Sequence, residues 1–278
     1  GQADLIADFA YPLPATVICE MLGIPPGDQA QFRAWSTDIV AFSAGSSVLL
    51  EKVAEKAKAS QLELVEYCRR IINKRRTHPK DDLISRLITI EQKETRLNEI
   101  ELYALCVQLL VAGQETTTNL IGNGILSLLK QPGSYQLLRE RPELIGPTIE
   151  ELLRYESPVQ RTVRIVKKDL EIQGKRIEQG QSVMLMLGAA NRDPIQFPDP
   201  GSLIMDRTPN RHLAFGRGPH FCIGAPLARR EAKIAFQTLL FKLSNIELTE
   251  KSYNWRQTMA MRGLESLKVS VSISGNVD

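Results

Sequence analysis

Over roughly the first 155 residues, apolar positions recur every three or four places, the spacing of helices that bury one face. The opening stretch 4–25, DLIADFAYPLPATVICEMLGIP, reads as a short helix, a proline-marked bend and a second apolar helix that ends at Gly23. Pro25, Pro26 and Asp28 start another helix, which runs through Trp35 to Phe42, and residues 45–47 form a loop. Residues 49–76 are a long amphipathic helix whose basic end, Lys74, Arg75 and Arg76, suits a helix C-terminus. Asp81 and Asp82 cap a short helix over 83–90. Asn98 caps the longest periodic stretch, 98–129, which Pro132 stops, and two further helices cover 135–139 and 143–155.

The texture changes after Pro158. Residues 161–187 alternate and are rich in Val and Ile, with turns at Gly174 and Gly180, which predicts short strands. Residues 191–212 are turn-rich and irregular but not of low complexity. A second apolar-periodic run, LARREAKIAFQTLLFKL, follows Pro226, and residues 247–274 alternate again. The expected fold is mainly α with small β-sheets, a single domain over 1–278 without internal repeats.

Composition narrows the function classes. Of 278 residues, 43% are hydrophobic and 24% charged, as in an ordinary globular chain. The formal net charge of +3 is too balanced to argue for nucleic acid or a membrane surface as partner. Cys19, Cys68, Cys106 and Cys222 are widely spaced and show no CxxC pair, which points to a reduced, cytoplasmic setting. No apolar run reaches transmembrane length.

The stretch FGRGPHFCIG holds the most specific chemistry. Phe215, Gly216, Gly218, His220, Cys222 and Gly224 form F-G-x-G-x-H-x-C-x-G, just ahead of Ala225 and Pro226. Proline in a first helical turn with glycine before it marks a helix start. Free N–H groups and the helix dipole there favour an anion, here a thiolate. Taken alone, an inert buried cysteine and a phosphate-cradling loop are competing readings. Two further constellations stand out. VAGQETTT, residues 111–118, puts a glycine, a carboxylate and three threonines into the middle of the longest helix, where no structural need calls for them. EELLR places Glu151 and Arg154 one helical turn apart, which by itself is common surface decoration.

Together with NRDP and FPDP at 191–200, these motifs occur in the order found in the cytochrome P450 family, which the chain resembles from YPLPATVICEMLGIP onward. The resemblance is to soluble bacterial members, with the N-terminal third of the fold lacking. It implies haem b between the 98–129 helix and the cysteine loop, with Cys222 as the axial thiolate and metal ligand. Phe215, Gly216 and Gly224 shape that loop. It also implies that Ala112 and Gly113 leave room for oxygen and substrate, and that Glu115 and Thr116 form an acid–alcohol pair that delivers protons to dioxygen. Arg164 and His220 would bind the haem propionates. Glu151 and Arg154 would be a buried structural pair with a third cationic partner, for which Arg192 is the candidate, since Ser202 stands where an arginine is frequent. The implied activity is monooxygenation of a small hydrophobic organic substrate by O2, with electrons from a separate ferredoxin or flavodoxin. Two alternatives are a non-catalytic haem-thiolate fragment and a peroxide-driven peroxygenase. The resemblance further implies that residues 1–278 alone hold haem weakly.

Overall fold

The computed structural model describes residues 1–43, 50–94 and 97–273. The loop expected at 45–47 and the last position of the expected C-terminal strands lie outside them. The chain opens with β1 (Gln2–Asp4), a single π-helical turn and α1 (Pro12–Met21). Four helices follow: α2 (Gln29–Ser43), α3 (Leu50–Thr77), α4 (Leu83–Glu94) and α5 (Glu99–Lys130). Next come α6 (Ser134–Glu140) and α7 (Ile145–Tyr155). Then β2 (Thr162–Ile165) pairs with β5 (Ser182–Leu185), enclosing the hairpin β3 (Leu170–Ile172) and β4 (Lys175–Ile177). The short α8 (Leu187–Ala190) leads into the irregular segment, and α9 (Ala225–Lys242) follows the cysteine loop. Finally β6 (Leu243–Leu248) and β7 (Lys268–Ile273) join β1 in an antiparallel sheet of order β1-β7-β6.

The mainly α fold with small sheets is therefore as the residue pattern predicts. The one element added at the start is β1, whose Gln2, Ala3 and Asp4 pair with Ser270, Val269 and Lys268. Three residues are too few for a period-two pattern to register.

Helix α5 is the common wall of two apolar cores. Its N-terminal half, with Leu102, Cys106 and Leu110, packs with Cys19 of α1, Leu22 just past it, Trp35 of α2 and Leu64 and Cys68 of α3. Its C-terminal half, with Leu120, Ile121 and Ile125, packs with Leu152 of α7 and Ala235 and Phe236 of α9. The helix starts where the sequence says. Asn98 accepts a hydrogen bond from the Glu101 amide at 2.9 Å while the Glu101 side chain accepts from the Asn98 amide, so two otherwise unpaired donors are satisfied. Asp82 caps α4 through the Ser85 amide, and it is also buried against Arg75 of α3, which ties the two helices together.

Candidate active site around Cys222

The loop before α9 is held by its own backbone. The Cys222 amide donates to the Phe215 carbonyl at 3.0 Å, and the Ala225 amide donates to the Cys222 carbonyl at 3.2 Å. Between them a 3-10 turn covers Gly218–His220. Gly216 and Gly218 have φ of +71° and +79°, a region costly for any side chain, which is why the spacing needs glycine there. Gly224 is the residue ahead of α9; a Cβ on it would stand 3.8 Å from the Cys222 sulfur, so glycine leaves that flank of the sulfur open.

Cys222 is exposed, whereas Cys19, Cys68 and Cys106 are buried. Burial pushes the Cys19 thiol up to about 11 and the Cys68 and Cys106 thiols up to about 12, so these three stay protonated inside the core. Among the four cysteines, Cys222 alone presents its sulfur at the surface. Phe221 and Ile223, on either side of it, are 50% and 87% exposed, an apolar rim around a soft ligand.

On α5 the expected constellation splits. Ala112 is exposed and Thr116 partly so, one turn apart on one face; the Thr116 hydroxyl donates to the Ala112 carbonyl at 2.9 Å. Glu115 points elsewhere: it is 3% exposed and paired with Arg256. Among the described residues, no hydrogen bond joins Glu115 to Thr116. The reading of Gly113 needs correction. A Cβ on Gly113 would lie 3.2 Å from Ile18 of α1, so this glycine lets two helices approach closely and does not open space on the Ala112 face.

Glu151 and Arg154 are wholly buried and paired through two 2.8 Å bonds. The third cation is Arg207, which donates to both Glu151 oxygens at 3.0 and 3.1 Å and is itself 6% exposed in its side chain. Arg192, the residue expected in that place, instead donates to the Tyr155 carbonyl and lies 3.5 Å from Glu156. The reason is reach: Arg192 follows directly on α8 and lies over the Tyr155 ring, 4.2 Å from its centre, while Arg207 comes back to Glu151 after the irregular segment. Arg207 is the first basic residue after Arg192, the only hint the sequence offers. The cluster organises 191–212. Arg154 donates to the carbonyls of Asn191, Pro200 and Ser202, and Arg207 to those of Pro198, Asp199 and Ser202. Asn191, fully buried and not foreseen, donates to Ser157 just past α7 and accepts from the Leu213 amide, and Ser157 in turn donates to the Leu153 carbonyl of α7, which ties the approach to the cysteine loop to that helix.

Arg164 lies on the exposed strand β2 and donates to Thr162 and to the Val163 carbonyl; His220 is exposed in the 3-10 turn. Glu150, Arg229 and His212, which no motif singles out, meet behind the loop. Arg229 binds Glu150 through two bonds of 2.7 and 2.8 Å, and His212 Nε2 is 3.0 Å from Glu150. Burial works to raise the Glu150 carboxyl, but the bonds from Arg229 and His212 outweigh it and hold it down to about 2.

A family model described as Cytochrome P450 matches residues 36–146 and 143–263. The chain belongs to the cytochrome P450 family. It is 43% identical over 275 residues to the polyketide biosynthesis cytochrome P450 PksS of Bacillus subtilis, covering 98% of this chain and 66% of that protein. It superposes with a TM-score of 0.91 on CYP109E1 from Bacillus megaterium in complex with testosterone, at 41% identity, covering 96% of this chain and 70% of that one. With P450BioI in complex with an acyl carrier protein carrying hexadec-9Z-enoic acid the TM-score is 0.92 at 39% identity, covering 98% of this chain and 69% of that one. The chain spans about two thirds of the length of the curated relatives it matches. P450 family members use haem with a cysteine thiolate as axial ligand. The P450 residues present here fit that group: a single outward thiol at a helix head, an apolar rim, and an open face of α5 at Ala112 and Thr116. Among the described residues, no helix is long and apolar enough to cross a membrane.

Proposed function

We propose that this protein is a haem-thiolate monooxygenase acting on a small hydrophobic organic substrate, with Cys222 as the metal ligand. The observation that carries the reading is the selective exposure of the Cys222 thiol in a loop whose preceding segment, 191–207, is held by Glu151, Arg154 and Arg207. Haem held at Cys222 supplies the activation of dioxygen, so that substrate C–H, O2, two electrons and two protons give C–OH and water.

The chain's own residues supply what surrounds that chemistry. Cys222 would hold the group, and its backbone bonds to Phe215 and Ala225 fix the loop around the sulfur. Ala112 keeps its exposed face of α5 low and would leave room there for oxygen and substrate. The Thr116 hydroxyl, bonded back to Ala112, stands on that face as a proton donor at Oγ1. Glu115 faces Arg256 and can serve Thr116 only after leaving that pair. Arg164 and His220, exposed and cationic or polar, are the donors we assign to the haem carboxylates. The electron source in this reading is a separate ferredoxin or flavodoxin in the cytoplasm. Relatives include a steroid-bound protein and one bound to an acyl carrier protein, which supports an apolar substrate without choosing one.

The test is a carbon-monoxide difference spectrum of the reduced, haem-loaded protein, followed by turnover with a ferredoxin–reductase couple. A thiolate-type Soret band lost in Cys222→His and retained in Cys19→Ser is the expected result. A band that survives Cys222→His overturns the assignment. Steady turnover with peroxide alone and none with the reductase couple would instead favour the peroxygenase reading.

A further inference from the structure

Behind the cysteine loop lies a charged group that the proposed chemistry does not use. Glu150 sits on α7 next to the buried Glu151, yet it faces the other way, toward α9. It takes Arg229 in a two-point grip, Nε to one oxygen at 2.7 Å and Nη2 to the other at 2.8 Å, and holds His212 on the second oxygen. The guanidinium so fixed lies over the Phe215 ring, 4.6 Å from its centre. The carbonyl of that same Phe215 accepts the Cys222 amide. Glu150, Arg229, Phe215 and Cys222 thus form one continuous contact path from α7 to the Cys222 main chain. The bonds to Glu150 raise the proton affinity of Arg229 against the effect of burial, so the cation stays charged beside the loop.

A bidentate pair of this kind fixes the distance of a cation from its surroundings far better than a lone flexible arginine would. The side chains are about one third exposed, which dilutes their field but does not cancel it. A positive charge near a metal ligand disfavours the more positive, oxidised state of the metal, and a negative charge does the reverse. In the folded chain the two charges partly offset each other.

We infer that Glu150 and Arg229 are positioning residues that set the reduction potential of haem bound at Cys222, by holding a fixed dipole against the Phe215 face of the cysteine loop. This rests on the reading of Cys222 as the haem ligand. The consequence is a sign that a merely structural role would not produce. Removing the cation leaves Glu150 uncompensated and favours the oxidised iron. Removing the carboxylate leaves Arg229 uncompensated and favours the reduced iron.

The experiment is a spectroscopic redox titration of the haem-loaded protein in its parent form and as Arg229→Gln, Glu150→Gln and Arg229→Lys, each first checked for a thiolate-type carbon-monoxide Soret band. The expected result is a lower potential in Arg229→Gln, a higher one in Glu150→Gln, and a value near the parent in Arg229→Lys. A several-fold change in the ratio of reduced to oxidised iron at a fixed potential is the size anticipated for a partly screened charge. Should Arg229→Gln fail to take up haem, the direction of the Glu150→Gln shift decides alone. Equal potentials, or shifts of the same sign in both glutamine variants, would overturn the inference while leaving Cys222 as ligand. Absence of the thiolate band in the parent protein would overturn the ligand assignment itself, and this inference with it.

Discussion

The Glu115 carboxylate ends on Arg256, 141 residues further along the chain, and not on the hydroxyl of its neighbour Thr116. Arg256 also donates to the Leu264 carbonyl, so the pair pins the loop between β6 and β7 onto α5. Glu115 is 3% exposed, and removing its cation strands a charge in the core. Arg256→Met should therefore destabilise the fold by roughly 3 kcal/mol, near the value for breaking a buried pair. Glu115→Gln, which removes the charge and keeps the shape, should cost clearly less. Urea unfolding of the two variants checks the order; equal losses would show that the pair is an ordinary surface contact.

Among the described residues Thr116 bonds only back to its own helix, so its loss should hardly alter stability. In the haem-loaded enzyme supplied with electrons, Thr116→Ala should instead lower product formed per reductant consumed several-fold, the balance appearing as peroxide or water. Measuring product and reductant together tests this, and full coupling in the variant would remove Thr116 from proton delivery.

The two arginines near the EELLR motif should separate sharply. Arg207→Met leaves Glu151, which is wholly buried, short of a partner and should cost roughly 3–5 kcal/mol and most of the haem uptake. Arg192→Met loses contacts that are partly exposed and should cost about 1 kcal/mol or less. Thermal melts and haem content per chain distinguish the two.

Burial, with one carboxyl oxygen left without a partner among the described residues, raises the Glu231 group to about 7. Its folded form thus holds a proton that the unfolded chain has released, and stability falls as pH rises from the ordinary carboxylate range through about 7. Glu231→Gln should flatten that part of the pH–stability curve and stabilise the protein at pH 8. Glu150 acts in the opposite sense: held down to about 2, it contributes stability that is lost only as pH falls below the ordinary carboxylate range. Denaturant midpoints from pH 3 to pH 8 for the parent and Glu231→Gln give both slopes.

In apoprotein kept free of haem, a small alkylating reagent should label Cys222 well before the others. Cys19, Cys68 and Cys106 are buried with thiols at about 11 to 12, so their labelling should follow global unfolding. Mass spectrometry of time points gives the order, and early labelling of Cys68 or Cys106 would contradict the core described.

Much of this was legible in the sequence where a local rule suffices. Asn98 and Pro132 bracket α5, Gly174 and Gly180 mark the turns, and the glycines of the cysteine loop announce their own positive φ. What could not be read depends on where distant parts return. Arg207 reaches Glu151 across 56 positions, Arg229 reaches Glu150 across 79, and nothing near either arginine marks it as different from a surface one. Gly113 misled for a related reason: a glycine in a helix signals a close approach, but only the fold shows that the approaching atom belongs to Ile18.

The irregular segment between α8 and the cysteine loop has a consequence for how this protein can vary. Surface connections usually accept insertions, because their backbone groups turn to water. Here five carbonyls, those of Asn191, Pro198, Asp199, Pro200 and Ser202, are instead pegged to two guanidiniums rooted in α7 and at position 207. One added residue displaces the chain by up to about 3.6 Å, more than a hydrogen bond can stretch. The contacts use main-chain oxygens, so many side chains could be exchanged along this stretch. Its length, by contrast, is gauged against a fixed template, and a single-residue insertion or deletion between 198 and 207 should be far more damaging than several substitutions there.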